Sequence, residues 1–297
     1  NRSGRWPQEV CRLACELSVV IPAYNEEDSV ISTYTELNHS LEDLGIAYEI
    51  IFVDDGSTDH TAERIRSLNN PILIQHPVNR GYGAALKSGI KAAKGTHILI
   101  TDADGTYPHT DIPRLWEHAK TYDMVVGAGE DVKIQLYRRP AKWFLNHLAN
   151  YLSGYKIPDL NSGFRIFKKE DSIKYFNIIC DGFSFTTTIT LSYLASGRLV
   201  KYVPINYFPR VGNSKIKPFR DGLNFIQLII TATTYFNPLK IFIPISVVFL
   251  AAGLFTFVDS ALIRGQFMNV TTTIFGVAAI QTALFGLLAD LIVKRSS

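Results

Sequence analysis

Apolar and polar positions alternate in blocks along the first half of the chain. Short β-branched runs read as strands: "LSVVIP" (Leu17 to Pro22), "YEIIFVDD" (Tyr48 to Asp55), "ILIQ" (Ile72 to Gln75), "HILIT" (His97 to Thr101) and "DMVVGA" (Asp123 to Ala128). Near-continuous apolar runs of this length suit strands covered on both faces. Between them lie helical stretches from Asp28 to Leu44, Thr58 to Leu68, Ala84 to Ala93 and Ile112 to Ala119, with Ser57 or Thr58 placed to cap the second. This alternation predicts a parallel α/β sheet, whose sites lie at the carboxyl ends of the strands. The clusters "PAYNEE", "DDGSTD" and "DADG" all fall there.

Beyond Gly127 the pattern changes. Arg138, Arg139 and Lys142 surround Pro140, ahead of the aromatic stretch "AKWFLNHLANYLSGY". That stretch reads either as a membrane-surface helix or as a basic edge over an ordinary core face. From Asp221 to Phe236 the polar residues Asn224, Gln227, Thr231 and Thr234 form one narrow stripe on a greasy helix, suited to a membrane interface. Two apolar segments follow, Ile241 to Ile263 and Thr271 to Val293, each long enough to span a bilayer. Lys240, Lys294 and Arg295 flank the open end of this hairpin, against Arg264 alone in its turn, which predicts a cytoplasmic α/β domain. The expected organisation is an extension over 1–16, a catalytic domain over 17–220, an interfacial helix over 221–238 and a two-span hairpin over 239–297.

Composition adds limits. The chain has 297 residues with a formal net charge of +3, so no bulk basic signature points to nucleic acid. Its hydrophobic share of 47% is high for a soluble enzyme, and the excess sits beyond Leu239. Cys11, Cys15 and Cys180 make no disulfide framework and no zinc spacing, as expected of reduced thiols facing the cytosol. The first fifteen residues hold no apolar core of signal-peptide type and no initiator Met, as expected of a trimmed or processed chain.

The candidate chemistry begins with "ILITDADGTYP". Asp102 and Asp104 are two apart at the exit of a strand, so they face one side. Carboxylates that close repel unless a cation lies between them, and a hard divalent metal takes oxygen ligands. A polar turn at Gly105 and Pro108 is the alternative. A dinucleotide loop fails: Gly81 and Gly83 are present, but Leu86 holds the place of the third glycine, and there is no GxxxxGK[ST] loop.

The motifs "VVIPAYNEE", "FVDDGSTD", "NRGYGAAL", "TDADG", "DLNSGFRIF" and "RVGNSK" occur in this order. Together with the hairpin they resemble the polyprenyl-phosphate branch of glycosyltransferase family 2, similar to dolichyl-phosphate mannose synthases and undecaprenyl-phosphate glucosyltransferases. The likeness runs over roughly Leu17 to Pro238. It implies a GT-A fold, a nucleotide-sugar donor of the UDP-glucose or GDP-mannose type, a Mg2+ or Mn2+ ion, and an undecaprenyl or dolichyl phosphate acceptor. By the resemblance Pro22, Ala23, Tyr24, Glu26, Asp54, Asp55, Asp102 and Ala103 contact the donor, with Asp54 nearest the base. Asp102 and Asp104 match the metal motif. Asp159 matches a carboxylate near the reacting centre, either a weak base or an orienting group, a turn cap being the bland alternative. Arg138, Arg139, Arg165, Arg210, Ser214 and Lys215 are candidates for the acceptor phosphate, with Arg139 counted among the catalytic set; a salt bridge within the sheet is the alternative for Arg165.

Two departures limit the carry-over. Thr106 stands where the dolichyl branch often has Gln, and Thr188 stands where that branch has an acid. The expected reaction is inverting hexose transfer at the cytoplasmic membrane face. The rivals are a family 2 transferase extending a glycan or glycolipid, against which the chain shows no QxxRW motif, and an inactive membrane-anchored nucleotide-sugar-binding scaffold. A homo-oligomer formed through the transmembrane region is an open expectation.

Overall fold

The computed structural model describes residues 15–129, 147, 150–151, 154–182, 184–208, 230–231, 233–263 and 269–296. Its strands are β1 (Leu17–Ala23), β2 (Tyr48–Asp54), β3 (Ile72–Gln75), β4 (His97–Ile100), β5 (Met124–Gly129), β6 (Arg165–Lys168) and β7 (Val200–Ile205). They form one sheet in the order β3-β2-β1-β4-β6-β5-β7. β1 runs parallel to β2 and β4, β2 to β3, and β5 to β7. β6 is antiparallel to both β4 and β5, so the sheet is mixed rather than parallel throughout. The step from β4 to β5 skips one strand position. The segment "FRIF" fills that gap with Phe164, Ile166 and Phe167 buried. Neither β6 nor β7 was expected from the pattern: β6 (RIFK) begins and ends on a basic residue, and β7 is broken by Pro204, so neither shows an apolar run.

Helices α1 (Val30–Glu42), α2 (Thr61–Arg66), α3 (Tyr82–Ala92), α4 (Ile112–Ala119) and α5 (Lys169–Lys174) connect these strands. Leu37 and Leu41 of α1 and Leu115 and Trp116 of α4 join Leu17, Val19 and Ile21 of β1 in the core. α3 lies close to the sheet: a Cβ added at Gly89 would come 2.3 Å from Val20 Cγ1. Ser57 and Thr58 do not cap α2, because both are engaged by the neighbouring loop. The Asn25 N–H donates to Ser57 Oγ at 3.0 Å, and the Thr58 N–H donates to Asn25 Oδ1 at 2.8 Å. Asp59 serves α2 instead, accepting from the Thr61 N–H at 3.0 Å and the Thr61 hydroxyl at 2.6 Å. Burial pushes the Asp59 carboxyl up, but these bonds and one from the Glu27 N–H outweigh it and hold the group below its usual range.

The described residues fall into two compact units. The first contains the sheet and α1 to α5. The second takes in 154–160, most of α6 (Phe185–Ala195), and two long C-terminal helices, α7 (Leu239–Val258) and α8 (Val270–Ser296). The stretches Leu239–Leu262 and Val270–Arg295 have mean hydropathies of 2.5 and 1.9 and are long and apolar enough to cross a membrane. They pack on each other: Ser246 Oγ donates to the Ala279 carbonyl at 2.7 Å, and a Cβ at Gly286 would come 2.6 Å from Phe242 Cβ. The expected interfacial helices after Pro140 and Asp221 lie almost wholly outside the described residues.

Within the first unit, α1 braces the loop after β4. Thr33 Oγ1 donates to the Ala103 carbonyl at 3.1 Å. One turn on, Glu36 Oε2 lies 3.2 Å from His109 Nδ1, and His109 Nε2 lies 3.1 Å from Thr101 Oγ1. An ionised carboxylate only accepts, so Nδ1 carries the proton and Nε2 accepts the Thr101 hydroxyl. Burial pushes the His109 imidazole below its usual pKa, against the opposing pull of Glu36 and Asp104. The unfolded chain therefore binds the proton more readily than the folded one. His109's contribution is complete above the unfolded pKa of about 6.5 and is lost as pH falls below it. His97 shifts the same way through burial and Lys168. Thermal unfolding of the detergent-solubilised protein is expected to show Tm falling below about pH 6.5. His109→Gln should flatten part of that fall while lowering Tm at neutral pH. An unchanged acid-side slope would contradict the account.

Candidate active site

Three strand ends bring the polar clusters to one edge of the sheet. Pro22 and Ala23 end β1 in register with Val53 and Asp54 of β2, and the Asp55 N–H continues the ladder to the Ala23 carbonyl at 2.9 Å. Asp54 is buried; its Oδ1 accepts from the Ser57 N–H at 3.0 Å and its Oδ2 from Gln75 Nε2 at 3.1 Å. Asp55 is buried too. It accepts from His76 Nδ1 at 2.6 Å and from the N–H groups of Arg80 and Gly81 at 3.0 and 2.8 Å. That carboxylate holds the loop from His76 to Gly81 in place. Gly56 permits the close approach: its φ is +74°, and a Cβ there would come 2.6 Å from the Val78 carbonyl carbon. Tyr24 and Glu26 are half-buried; the Glu26 N–H donates to Thr61 Oγ1 at 2.8 Å, and its carboxylate accepts from Ser29 Oγ at 3.2 Å.

Past β4, Ala103 and Asp104 are buried and Asp102 is half-buried. Tyr82, at the start of α3, donates its hydroxyl to Asp102 Oδ1 at 2.9 Å. The backbone of Gly163 presses on the same carboxylate: a Cβ there would lie 2.9 Å from Tyr82 Oη and 3.0 Å from Asp102 Oδ2. The Gly163 N–H donates to Tyr107 Oη at 2.7 Å, and the Tyr107 ring stacks on Phe164 at 5.5 Å. Burial, reinforced by the Asp102 carboxylate, pushes the Tyr82 and Tyr107 phenols well above their usual pKa. Both stay protonated, and Tyr82 remains a donor to Asp102. Gly105, at φ +71°, turns the chain so that the Thr106 N–H donates to Asp104 Oδ1 at 3.1 Å. The Thr106 hydroxyl is buried and finds no hydrogen-bond partner among the described residues.

The structure thus brings together Pro22, Ala23, Asp54 and Asp55 at one point of the edge and Asp102, Ala103 and Asp104 at another. Arg165 is different: it is fully buried, and its Nε and Nη2 both donate to the Ser162 carbonyl, Nε at 3.0 Å. These bonds hold the turn before β6. Asp159 is half-buried in the second unit. Arg138, Arg139, Arg210, Ser214 and Lys215 lie outside the described residues. Tyr82 and Gly163, which orient and crowd Asp102, were not singled out from the sequence. The available signal was an aromatic in "RGYG" and a glycine in "NSGF", each inside a motif already recognised.

An oxygen-only donor set suits a hard divalent cation. Among the described residues no group of three His, Cys, Asp or Glu converges. Two carboxylates, with diphosphate oxygens and water to complete the shell, match the usual binding of Mg2+. The residues present therefore fit such an ion, and the orphaned Thr106 hydroxyl is a further oxygen beside them.

Comparison with known proteins places this arrangement. The model of glycosyl transferase family 2 matches residues 18–176, and that of the GtrB C-terminal hairpin matches residues 237–294. The low-salt glycan biosynthesis hexosyltransferase Agl6 of Haloferax volcanii is 29% identical over 226 residues, covering 73% of this chain and 54% of that one. The undecaprenyl-phosphate 4-deoxy-4-formamido-L-arabinose transferase of Edwardsiella ictaluri is 34% identical over 158 residues, covering 51% and 49%. The chain thus spans about half the length of these two relatives. Glycosyltransferase AglJ of Haloferax volcanii is 26% identical over 306 residues, covering 97% of this chain and 95% of that one. Among solved structures, glucosyl-3-phosphoglycerate synthase from Mycobacterium tuberculosis, in complex with Mn2+, UDP and phosphoglyceric acid, aligns with a TM-score of 0.58 at 20% identity. It covers 74% of this chain and 78% of that one. The two long apolar helices coincide with the hairpin match and are long and apolar enough to anchor the chain in a membrane. The chain belongs to glycosyltransferase family 2, with a GT-A fold followed by a GtrB-type hairpin.

Proposed function

We propose that the chain transfers a hexose, with inversion, from a UDP- or GDP-linked donor to a polyprenyl phosphate, undecaprenyl or dolichyl, at the cytoplasmic face of the membrane. The observation that carries this reading is the Asp102–Asp104 pair at the end of β4, one carboxylate oriented by Tyr82, in a chain that also bears a GtrB-type hairpin. The relatives named as undecaprenyl-phosphate transferases support the lipid acceptor. The fold neighbour solved with UDP and Mn2+ supports the donor and the metal.

On this reading Pro22, Ala23, Tyr24, Glu26 and Asp54 hold the nucleoside, and Asp55 keeps their loop in place. Asp102 and Asp104 would hold the divalent ion, which supplies counter-charge to the departing diphosphate. The acceptor phosphate has a second pKa of about 6, so its oxygen is already largely anionic and needs positioning more than deprotonation. Arg138, Arg139, Arg210, Ser214 and Lys215 are assigned to that positioning, and Asp159 to orienting them or accepting the residual proton. The phosphate oxygen displaces the nucleoside diphosphate from the anomeric carbon, leaving a lipid-linked monophosphosugar.

The direct test is release of nucleoside diphosphate by proteoliposomes, with each donor, with and without undecaprenyl phosphate. Acceptor-independent turnover, or turnover only with a glycan acceptor, would overturn the reading. Asp104→Asn is expected to lower turnover by about 100-fold or more at unchanged Tm, and excess chelator should abolish wild-type turnover. Gly163→Ala places a methyl group 2.9–3.1 Å from Tyr82 Oη and the Asp102 oxygens. It should raise the divalent-ion concentration needed for half-activity, a shift that simple destabilisation does not produce. The charge pattern around the hairpin assigns the turn near Phe267 to the far side of the membrane. A Phe267→Cys probe in sealed inside-out vesicles should resist impermeant thiol reagents until the vesicles are opened, and labelling before opening would reverse the assignment.

A further inference from the structure

We propose that His76 is a positioning residue for the nucleotide-sugar donor: its buried ring, held between Asp55 and Ser88, fixes the loop 77–80 at the edge of the sheet where the nucleoside binds. The role rests on the chain being a nucleotide-sugar transferase. His76 is 8% exposed, with Nδ1 2.6 Å from Asp55 Oδ1 and Nε2 2.9 Å from Ser88 Oγ. An ionised carboxylate only accepts, so Nδ1 carries a proton; a hydroxyl both donates and accepts, so Ser88 satisfies Nε2 whether or not it is protonated. The ring therefore joins the ends of β2 and β3 to α3, and the His76 N–H adds a bond to the Asp54 carbonyl at 2.9 Å. Ser88 is a fixed post for it. The next residue, Gly89, lets α3 sit so close to β1 that an added Cβ would come 2.3 Å from Val20 Cγ1.

The loop depends on this arrangement because its own side chains bury little. Pro77, Val78, Asn79 and Arg80 are all exposed, and a segment with few buried contacts opens easily unless its backbone is tied. Asp55 ties one end, accepting from the Arg80 N–H on Oδ1 and the Gly81 N–H on Oδ2, and Gly56 meets the middle at Val78. His76 shares Oδ1 with Arg80. Without the imidazole, a carboxylate only 3% exposed loses its shortest bond. A buried charge short of a donor costs more than the bond itself, so the carboxylate shifts and the two backbone bonds shift with it. The same residue continues the ladder to Ala23 and adjoins Asp54, both on the nucleoside side of the site. Asp102 and Asp104 take donors from Tyr82 and Thr106 instead. Loss of the ring should therefore weaken nucleotide binding and spare the chemical step. A brace for stability alone would lower Tm without that selectivity.

The test is calorimetric titration of the full chain in detergent with UDP and with GDP, in Mn2+ and without acceptor, followed by transfer kinetics. His76→Leu should weaken binding of the preferred nucleotide by about ten- to hundred-fold. His76→Asn puts an amide N–H in the place of Nδ1, still reaches Asp55, and should stay within about three-fold of the wild type. His76→Gln reaches towards Ser88 instead and should behave like His76→Leu. Ser88→Ala, which frees the far side of the ring, should weaken binding by about two- to five-fold. For every variant, kcat at saturating donor and the KM for undecaprenyl phosphate should hold within about three-fold. If His76→Leu does not fold, the contrast between Asn and Gln decides. Equal affinity in those two variants would overturn the proposal, as would a folded His76→Leu chain with wild-type affinity, or a fall in kcat with affinity unchanged. A wild type that binds a nucleotide but glycosylates no lipid would count against the lipid acceptor and leave the role of His76 decided by the titrations. A wild type that binds neither UDP nor GDP would overturn the nucleotide-sugar reading and this role with it.

Discussion

The candidate site depends above all on the parallel register of β1 between β2 and β4. Leu17 pairs with Tyr48 on one side and with His97 on the other, so all three chains leave the sheet at the same edge. A slip of one residue in β2 would turn Asp54 to the opposite face and exchange the neighbours of Asp55. Register is protected because β1 is apolar on both faces, with Leu17, Val19, Val20 and Ile21 fully buried. The hydrogen-bond ladder then runs on past the strands through the Asp55 N–H and the His76 N–H, which accounts for the order of loops that would otherwise be free.

At that edge, each carboxylate meets a donor held by the surrounding fold. Asp55 takes three, from His76, Arg80 and Gly81. Asp102 receives a phenol that its own burial and Asp102's charge keep protonated. Asp104 receives the N–H of the residue two places on. Neutral and backbone donors moderate the repulsion between neighbouring acids without cancelling their charge. The pair therefore keeps a net attraction for a cation while its geometry is already set. The braces from Thr33 and Glu36, one helical turn apart on α1, act on the backbone and side chains that flank the pair. They restrain the loop without occupying the carboxylates.

Much of this was legible in the sequence where the residues are of one kind over a length that matches a structural period. β3 runs over the expected Ile72 to Gln75, α4 over the expected Ile112 to Ala119, and the apolar stretches Leu239–Leu262 and Val270–Arg295 begin and end within two residues of the spans read from hydropathy. β6 was missed because its four residues, RIFK, begin and end on a basic side chain and leave no apolar run, and because its direction is set by a partner in sequence-distant β4. The cap of α2 was misplaced because Asn25, thirty-two residues away from Ser57, competes for the hydroxyl. The same limit applies to Tyr82 and Gly163: their meaning lies in a contact across eighty residues of chain, which no local pattern reveals.

Membrane anchorage changes what the soluble part of such a protein must recognise. On the proposed reading the acceptor is a phosphate on a long isoprenoid tail, and each CH2-sized group moved from lipid to water costs about 0.8 kcal/mol. A soluble enzyme would need an apolar channel to offset that cost. An enzyme held at the membrane leaves the tail where it is and needs to recognise only a phosphate and the sugar donor. That division of labour is consistent with a sheet edge rich in carboxylates and in hydroxyl, amide, imidazole and backbone donors, and with apolar exposure among the described residues concentrated in α7 and α8. In a chain arranged this way, hydrophobicity serves to set location, and the selectivity of the reaction falls to the polar edge.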